Sequence, residues 1–389
     1  MDYRVTGVSV TGSSAQLTKN KTNNYTLSEV DAATSVTITA TAVPSDYWTA
    51  SSNYDTDWYT NGSSPYSIST AAELAGLAYL VNNTSETFSG DIINLTGSGV
   101  DLSSHKWMPI GGVAAISNGV PNTTHYFAGT FNGNSVPVSG MYIDYVNSAN
   151  SGYGLFGYVN GGALINIKLD SSGENAVSNE VNVGTNSVSG IGSIAGHCNG
   201  DIYNCHSDAW VFMGNTTASM LGGIVGTEEN NTTTSVYVQF CSNTGDLVGR
   251  GRVGGIVGAA YCTSAGGVVI DNCFNKADLS TVGVATKSYL GGIVGYCRGY
   301  ITNCYSFSHI ETNGGHYQAG IAGLIQGSGP MGGMSNCYAY STFGSDANAN
   351  YDRWLVGSVD NSTTMTIADS LWIDTYELGK TSAHITQPT

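Results

Sequence analysis

The sequence predicts an all-β protein: a parallel β-helix, or solenoid, with one short capping helix near its N-terminal end and a β-rich segment ahead of it. Three observations lead there. A glycine-bounded apolar unit recurs along the middle of the chain. A second unit, ending in Asn-Cys, follows it in step. The composition favours tight turns over helices.

Gly supplies 52 of the 389 residues, over a dense background of Ser, Thr and Asn. These residue types weaken helix interiors and favour turns, so many short strands are expected. Apolar residues reach 41%, enough for a large core, whereas charged residues reach only 10%, against ~25% in ordinary domains. With 12 basic and 28 acidic residues the net charge is −16. Such a surface repels phosphate backbones, which argues against a nucleic-acid partner. No apolar run approaches the ~18–20 residues of a membrane span. Met1–Arg4 lacks the basic and apolar regions of a signal peptide, so any export signal is expected to lie outside this chain.

Residues 1–57 include alternating Val or Ile with Thr, as in Val36-Thr37-Ile38-Thr39. They are expected to be a strand-rich cap or a partial immunoglobulin-like module, since a complete sandwich needs about 100 residues. Residues 58–345 are assigned to the solenoid. Within them Ser69-Thr70-Ala71-Ala72-Glu73-Leu74 offers an N-cap followed by an Ala/Leu-rich run, which reads as a short amphipathic helix. Laid over the open end of a solenoid, it would cover unpaired strand edges. Trp107-Met108-Pro109-Ile110-Gly111 and Phe127-Ala128-Gly129-Thr130-Phe131-Asn132-Gly133 read as strands of early coils. Residues 346–389 lose the glycine pattern and are expected to close the last coil.

The repeats are Gly154-Leu155-Phe156-Gly157, Ser193-Ile194-Ala195-Gly196, Gly223-Ile224-Val225-Gly226, Gly255-Ile256-Val257-Gly258, Gly292-Ile293-Val294-Gly295 and Gly320-Ile321-Ala322-Gly323. The interval from one closing glycine to the next varies, so loops of different length sit on a constant frame. The partner unit appears as Ile202-Tyr203-Asn204-Cys205, Ile270-Asp271-Asn272-Cys273, Ile301-Thr302-Asn303-Cys304 and Met334-Ser335-Asn336-Cys337. Val238-Gln239-Phe240-Cys241 loses the Asn, and Leu164-Ile165-Asn166-Ile167 loses the Cys. Stacking at the usual strand spacing of about 4.8 Å would align Leu155, Ile194, Ile224, Ile256, Ile293 and Ile321 as one buried ladder. The flanking glycines are expected to supply positive φ at the corners.

The Gly-Gly-Ile-Val-Gly and Asn-Cys-Tyr units resemble the GLUG motif of bacterial surface proteins. The upstream runs Pro65–Ser69, Glu73–Leu77 and Trp107–Gly111 are similar to the segment that usually precedes such repeats. The likeness covers roughly residues 58–345. It implies a right-handed parallel β-helix from an exported adhesin-like or surface-layer-like protein, extracellular or on the cell surface. It implies no reaction. Some relatives carry the motif beside an immunoglobulin A1 protease domain, but His-Glu-x-x-His is missing here, so protease activity does not carry over.

Five cysteines share one repeat position, occupied by Ile167 in the first repeat. Cys198 and Cys297 share another, filled elsewhere by Val159 and Ile325. That exchange suits small buried hydrophobes. Bridges Cys198–Cys205 and Cys297–Cys304, seven residues apart, stay open as the alternative. His197, Cys198, Cys205 and His206 resemble a ligand set, but strand alternation should part each His from its neighbouring Cys, and no metal or cofactor is expected. Phe274, Tyr305 and Tyr338 follow the repeated Cys and should form an outward aromatic file, able to meet a host or self glycan or a surface protein. The opposing reading is a stripe covered by loops. Glu228/Glu229 and Asp369/Asp374 are carboxylate pairs of the kind glycoside cleavage uses. The leading functional expectation is therefore a non-enzymatic adhesin-like or structural module. A polysaccharide-degrading β-helix enzyme and a self-assembling surface-layer or filament subunit are the alternatives.

Overall fold

The structure is a computed structural model, and it describes residues 3–373 except 12–15, 21–23, 29–33, 113–115, 118–119, 122–124, 145–151, 174–177, 184–189, 215–218, 231, 263–265, 282–287, 313–316, 327–331, 345–354 and 361–365. The chain is a parallel β-helix. One complete coil runs through five short strands, which define five faces. Face 1 holds Val225–Asn230, face 2 Val236–Gln239, face 3 Ser242–Asn243, face 4 Leu247–Gly249 and face 5 Gly251–Gly254. Each strand pairs in parallel with its counterpart one coil on, as Val225 with Val257 and Ser242 with Phe274. Faces 1 and 2 form one 15-stranded sheet, because Phe156–Ile165 and Ala195–Tyr203 run unbroken through both. Residues 355–373 add a further partial coil, with Val356–Asp360, Thr366–Ala368 and Leu371–Ile373 on faces 1, 2 and 3.

The N-terminal end carries the expected helix, α1, Ala71–Asn83. The Thr70 hydroxyl accepts from the Glu73 N–H, and the Glu73 carboxylate accepts from the Thr70 N–H, a reciprocal cap. The helix joins Tyr66–Ile68 to Ile92–Leu95, the first two strands of face 2. It therefore stands in for the rest of a coil and buries Leu74, Leu77, Ala78 and Val81. Gly76 is fixed by contact: a Cβ there would lie 1.8 Å from the Asp55 carbonyl of the segment crossing the helix. Ahead of this, Tyr3–Thr11 pairs antiparallel with Ser35–Ala42, and Gln16–Asn20 with Asn24–Ser28.

Every member of the Leu155–Ile321 ladder is fully buried. The N–H of Ile194 donates to Ile224, Ile224 to Ile256, Ile256 to Ile293 and Ile293 to Ile321, at 2.9–3.0 Å. Each such side chain contributes about 1.5–3 kcal/mol through burial. The glycines flanking them act differently from the expectation of positive φ. None of the repeat glycines lies in the left-handed region. They are required because faces 5 and 1 touch backbone to backbone. A Cβ on Gly226 would lie 2.2 Å from the Ile191 nitrogen, and one on Gly222 would lie 2.0 Å from the Val225 carbonyl oxygen. The leading glycines meet the interior of face 3: Gly223 would strike Asn243 and Gly255 would strike Asn275, each at 2.3 Å.

Positive φ belongs instead to the Asn of the second unit. Asn166, Asn204, Asn272, Asn303 and Asn336 all turn the chain from face 2 to face 3 at φ 51–53°, which Asn tolerates better than most residues. Their amides link successive coils, Asn204 Nδ2 donating to Asn166 Oδ1 at 2.7 Å and Asn336 to Asn303 at 3.2 Å. Phe240 occupies the same conformation, φ 55°, without an amide.

Two stability predictions follow from the seam and the turn. Gly226→Ala should lower unfolding free energy by about 3 kcal/mol through overpacking, whereas Gly62→Ala, strained in φ but facing open space, should cost about 1 kcal/mol. Phe240→Asn should raise it by about 1 kcal/mol. Urea denaturation of the three variants measures both; a neutral Gly226→Ala or a destabilising Phe240→Asn would contradict the respective argument.

Candidate functional site

Face 3 places the aromatic file where alternation requires. Its short strands keep one residue inward and one outward, and the outward register runs Lys168, His206, Ser242, Phe274, Tyr305, Tyr338. Phe274 and Tyr305 stack at 4.4 Å with 29° between planes, and Tyr305 and Tyr338 at 5.0 Å with 4°. A second column, not expected from the repeats, adds Phe307 and Tyr340, whose rings lie 5.5 Å apart. Phe307 stands nearly perpendicular to Tyr305 and Tyr338. Tyr338, Tyr340 and Phe307 are 40–42% exposed, so this is an open patch and not a covered stripe.

Stacking at strand spacing has a chemical consequence. Within the file the ring faces are turned toward one another, leaving edges and phenol hydroxyls outward. The hydroxyls of Tyr305, Tyr338 and Tyr340 make no hydrogen bond to a described residue. The patch therefore offers apolar edges with unused donors and acceptors beside them, a pattern suited to partners that are themselves amphipathic. Toward the N-terminal coils the same file turns polar, with the His206 imidazole 2.9 Å from the Ser242 hydroxyl.

The interior of face 3 is polar as well. Asn243 Nδ2 donates to Gly245 O at 3.0 Å and Asn275 Nδ2 to the Ser308 hydroxyl at 2.7 Å. These buried amides are satisfied and hold the turn into face 4.

None of the eight cysteines is in a disulfide, and all are buried. Cys205, Cys241, Cys273, Cys304 and Cys337 line the interior just after the Asn turn, each thiol pointing to backbone carbonyls, as Cys205 to Tyr203 O at 3.4 Å. Burial pushes Cys198 up and Cys297 up to about 12, which keeps both as inert thiols. The two proposed bridges, Cys198–Cys205 and Cys297–Cys304, are not formed.

His197 and His206 also separate: His197 lies on face 1 and His206 on face 3. Among the described residues no group of three or more His, Cys, Asp or Glu could hold a metal. Glu228 and Glu229 do not converge either. Glu228 joins the inward register Val159, Cys198, Ala260, Cys297, Ile325, while Glu229 pairs with Tyr261 on the outer side. Asp369 sits in an exposed turn, and Asp374 falls outside the described residues.

No family model matches this chain, and no curated protein matches it. Among solved structures it is similar to a candidate immunoglobulin A1 protease from Bacteroides ovatus. The TM-score is 0.42 with 16% identity, over 79% of this chain and 84% of that one. The likeness is loose, and it transfers no activity. No helix among the described residues is long and apolar enough to cross a membrane.

Glu228 gives a pH test of the inward assignment. It is fully buried. Burial pushes its pKa well above the ordinary 4.5. The folded protein thus keeps a proton that the unfolded chain has lost above about pH 4.5. Stability should be full below that value and fall as pH rises toward the folded pKa, by ~1.4 kcal/mol per unit within the window. Glu228→Gln should abolish this slope and match the parent near pH 4. Denaturation midpoints from pH 4 to 8 decide it; parallel curves would put Glu228 elsewhere than the core.

Proposed function

We propose that this chain is a non-enzymatic repeat module of the GLUG type, displayed outside the cell or on its surface, which binds a glycan through face 3. The observation that carries the reading is the open aromatic patch of Phe274, Tyr305, Tyr338, Phe307 and Tyr340 on a rigid parallel sheet. A sugar presents hydroxyls around an apolar ring, and the patch presents phenol hydroxyls around apolar edges. The match is chemical and needs no moving part. Export agrees with the sparse charge and the Ser/Thr/Asn-rich surface. The repeated Gly-Gly-Ile-Val-Gly and Asn-Cys pairs are the support for the GLUG assignment. Opposite placement of Glu228 and Glu229 removes that pair from glycoside cleavage.

A glycan array read together with an assay for released sugar tests the proposal. Binding without release is expected, and Tyr305→Ala and Tyr338→Ala should each weaken it about tenfold while leaving the melting temperature within a few degrees. Released sugar would make the chain an enzyme. Binding unchanged in both variants would clear face 3 of the role.

A further inference from the structure

The seam that closes the coil also opens a second surface. Beyond the glycine contacts, side chains of faces 5 and 1 pack against one another along the solenoid axis, with His197, Thr227 and Tyr296 buried and Arg252, Tyr261, Tyr289 and Tyr317 half-buried at the surface. The parallel ladder skips the closing glycine, pairing Val225 with Val257 and then Thr227 with Ala259. Alternation is broken there, so the residue after the glycine looks toward face 5. His197 does so, its Nε2 lying 2.6 Å from where a Cβ on Gly190 would be. Tyr296 occupies the same position two coils past Thr227.

Arg252 reaches across this flank from face 5. Its guanidinium lies 4.7 Å from the Tyr296 ring centre and 5.7 Å from that of Tyr261. It forms no ion pair and no hydrogen bond with a described residue, and its Nε is buried without a partner. In a chain of net charge −16, an arginine left without an acid is unexpected. Arg298, on face 1, lies 5.8 Å from the Tyr296 ring and donates from Nε and Nη2 to Gln326 Oε1, at 3.1 and 2.8 Å. The Tyr296 hydroxyl donates to the same oxygen. Glu229 is in register with Tyr261, and its Oε1 lies 4.0 Å from His197 Nδ1. Past Arg252 the face-5 register continues as Tyr289 and Tyr317, stacked at 5.1 Å and 9°.

We infer that Arg252 is the anchor of a binding site for the carboxylate of an acidic sugar, distinct from the face-3 patch. Stacking on two tyrosines holds the guanidinium plane and leaves its N–H edges for a planar, two-oxygen acceptor. Tyr289 and Tyr317 extend the wall on which the sugar ring would lie. An acidic peptide fits less well. Extended peptides are usually captured by adding a strand to a free sheet edge, and here the strands of both walls are paired on both sides, Gly251–Gly254 between its neighbours on face 5 and Val257–Cys262 between its neighbours on face 1.

The test is a saturation-transfer NMR and calorimetric titration of the intact chain with methyl glucuronide, with methyl glucoside, which carries a hydroxymethyl group in place of the carboxylate, and with a short glutamate peptide. Saturable binding of the glucuronide, at least ~10-fold tighter than the glucoside, is expected, weakening as salt is raised. Arg252→Met should abolish the preference. Arg252→Lys, which keeps the charge and most of the packing, should recover only part of it because the two-pronged geometry is lost. Tyr305→Ala should leave it unchanged, which separates this site from face 3. Equal affinity for the two sugars, a preference that survives in Arg252→Lys and Arg252→Met alike, or a preference for a glutamate peptide over the glucuronide would overturn the inference.

Discussion

The contact between faces 5 and 1 is the constraint on which the rest of the molecule depends. Two sheets approach until their peptide groups touch, and no side chain fits between them. Gly222, Gly226, Gly254 and Gly258 are therefore demanded by space, not by backbone dihedral. Because the chain folds back so tightly at this corner, Ile224 and its equivalents fill the interior directly behind it. The cross-section of every coil is set there, and variable loops can be added elsewhere without disturbing the stack.

Behind the seam, like residues stack on like. The isoleucine ladder supplies apolar burial. The cysteines serve as small hydrophobes of the same kind, which is why Ile167 can replace one of them. The asparagines perform two separate tasks. Those at the turn from face 2 to face 3 carry a left-handed backbone and pass an amide bond from coil to coil. Those inside face 3 satisfy the backbone of the next turn. A buried carboxyl at Glu228 is the exception, placed in a column otherwise made of Val, Cys, Ala and Ile.

Strand alternation then sorts the outward residues onto separate surfaces. On face 3 it exposes rings that stack on one another, so hydroxyls and edges face the solvent. On the opposite flank the broken alternation at the closing glycine turns His197 and Tyr296 toward face 5, and Arg252 meets Tyr296 there together with Tyr261, two residues beyond that position in its own coil. The same feature that seals the interior brings these side chains together on the outside of the seam.

The repeat pair, read from residue order alone, determined the solenoid, the buried isoleucine ladder and the outward file of Phe274, Tyr305 and Tyr338, and the N-cap run Ser69–Leu74 determined the capping helix. Each depends on local spacing, and local spacing is what a sequence records. Only the tertiary structure decided the rest. The positive φ falls on Asn and not on Gly because the tightness at the glycines comes from a neighbouring sheet, which no single coil reveals. Phe307 and Tyr340 join the aromatic patch through inter-coil register, and loops of unequal length hide that register in the sequence. Glu228 and Glu229 look like a pair in the chain, yet adjacent residues of a strand face opposite sides. Arg252 could not be found from sequence at all, since its tyrosine partners come from two other strands, and only their approach across the seam makes a site.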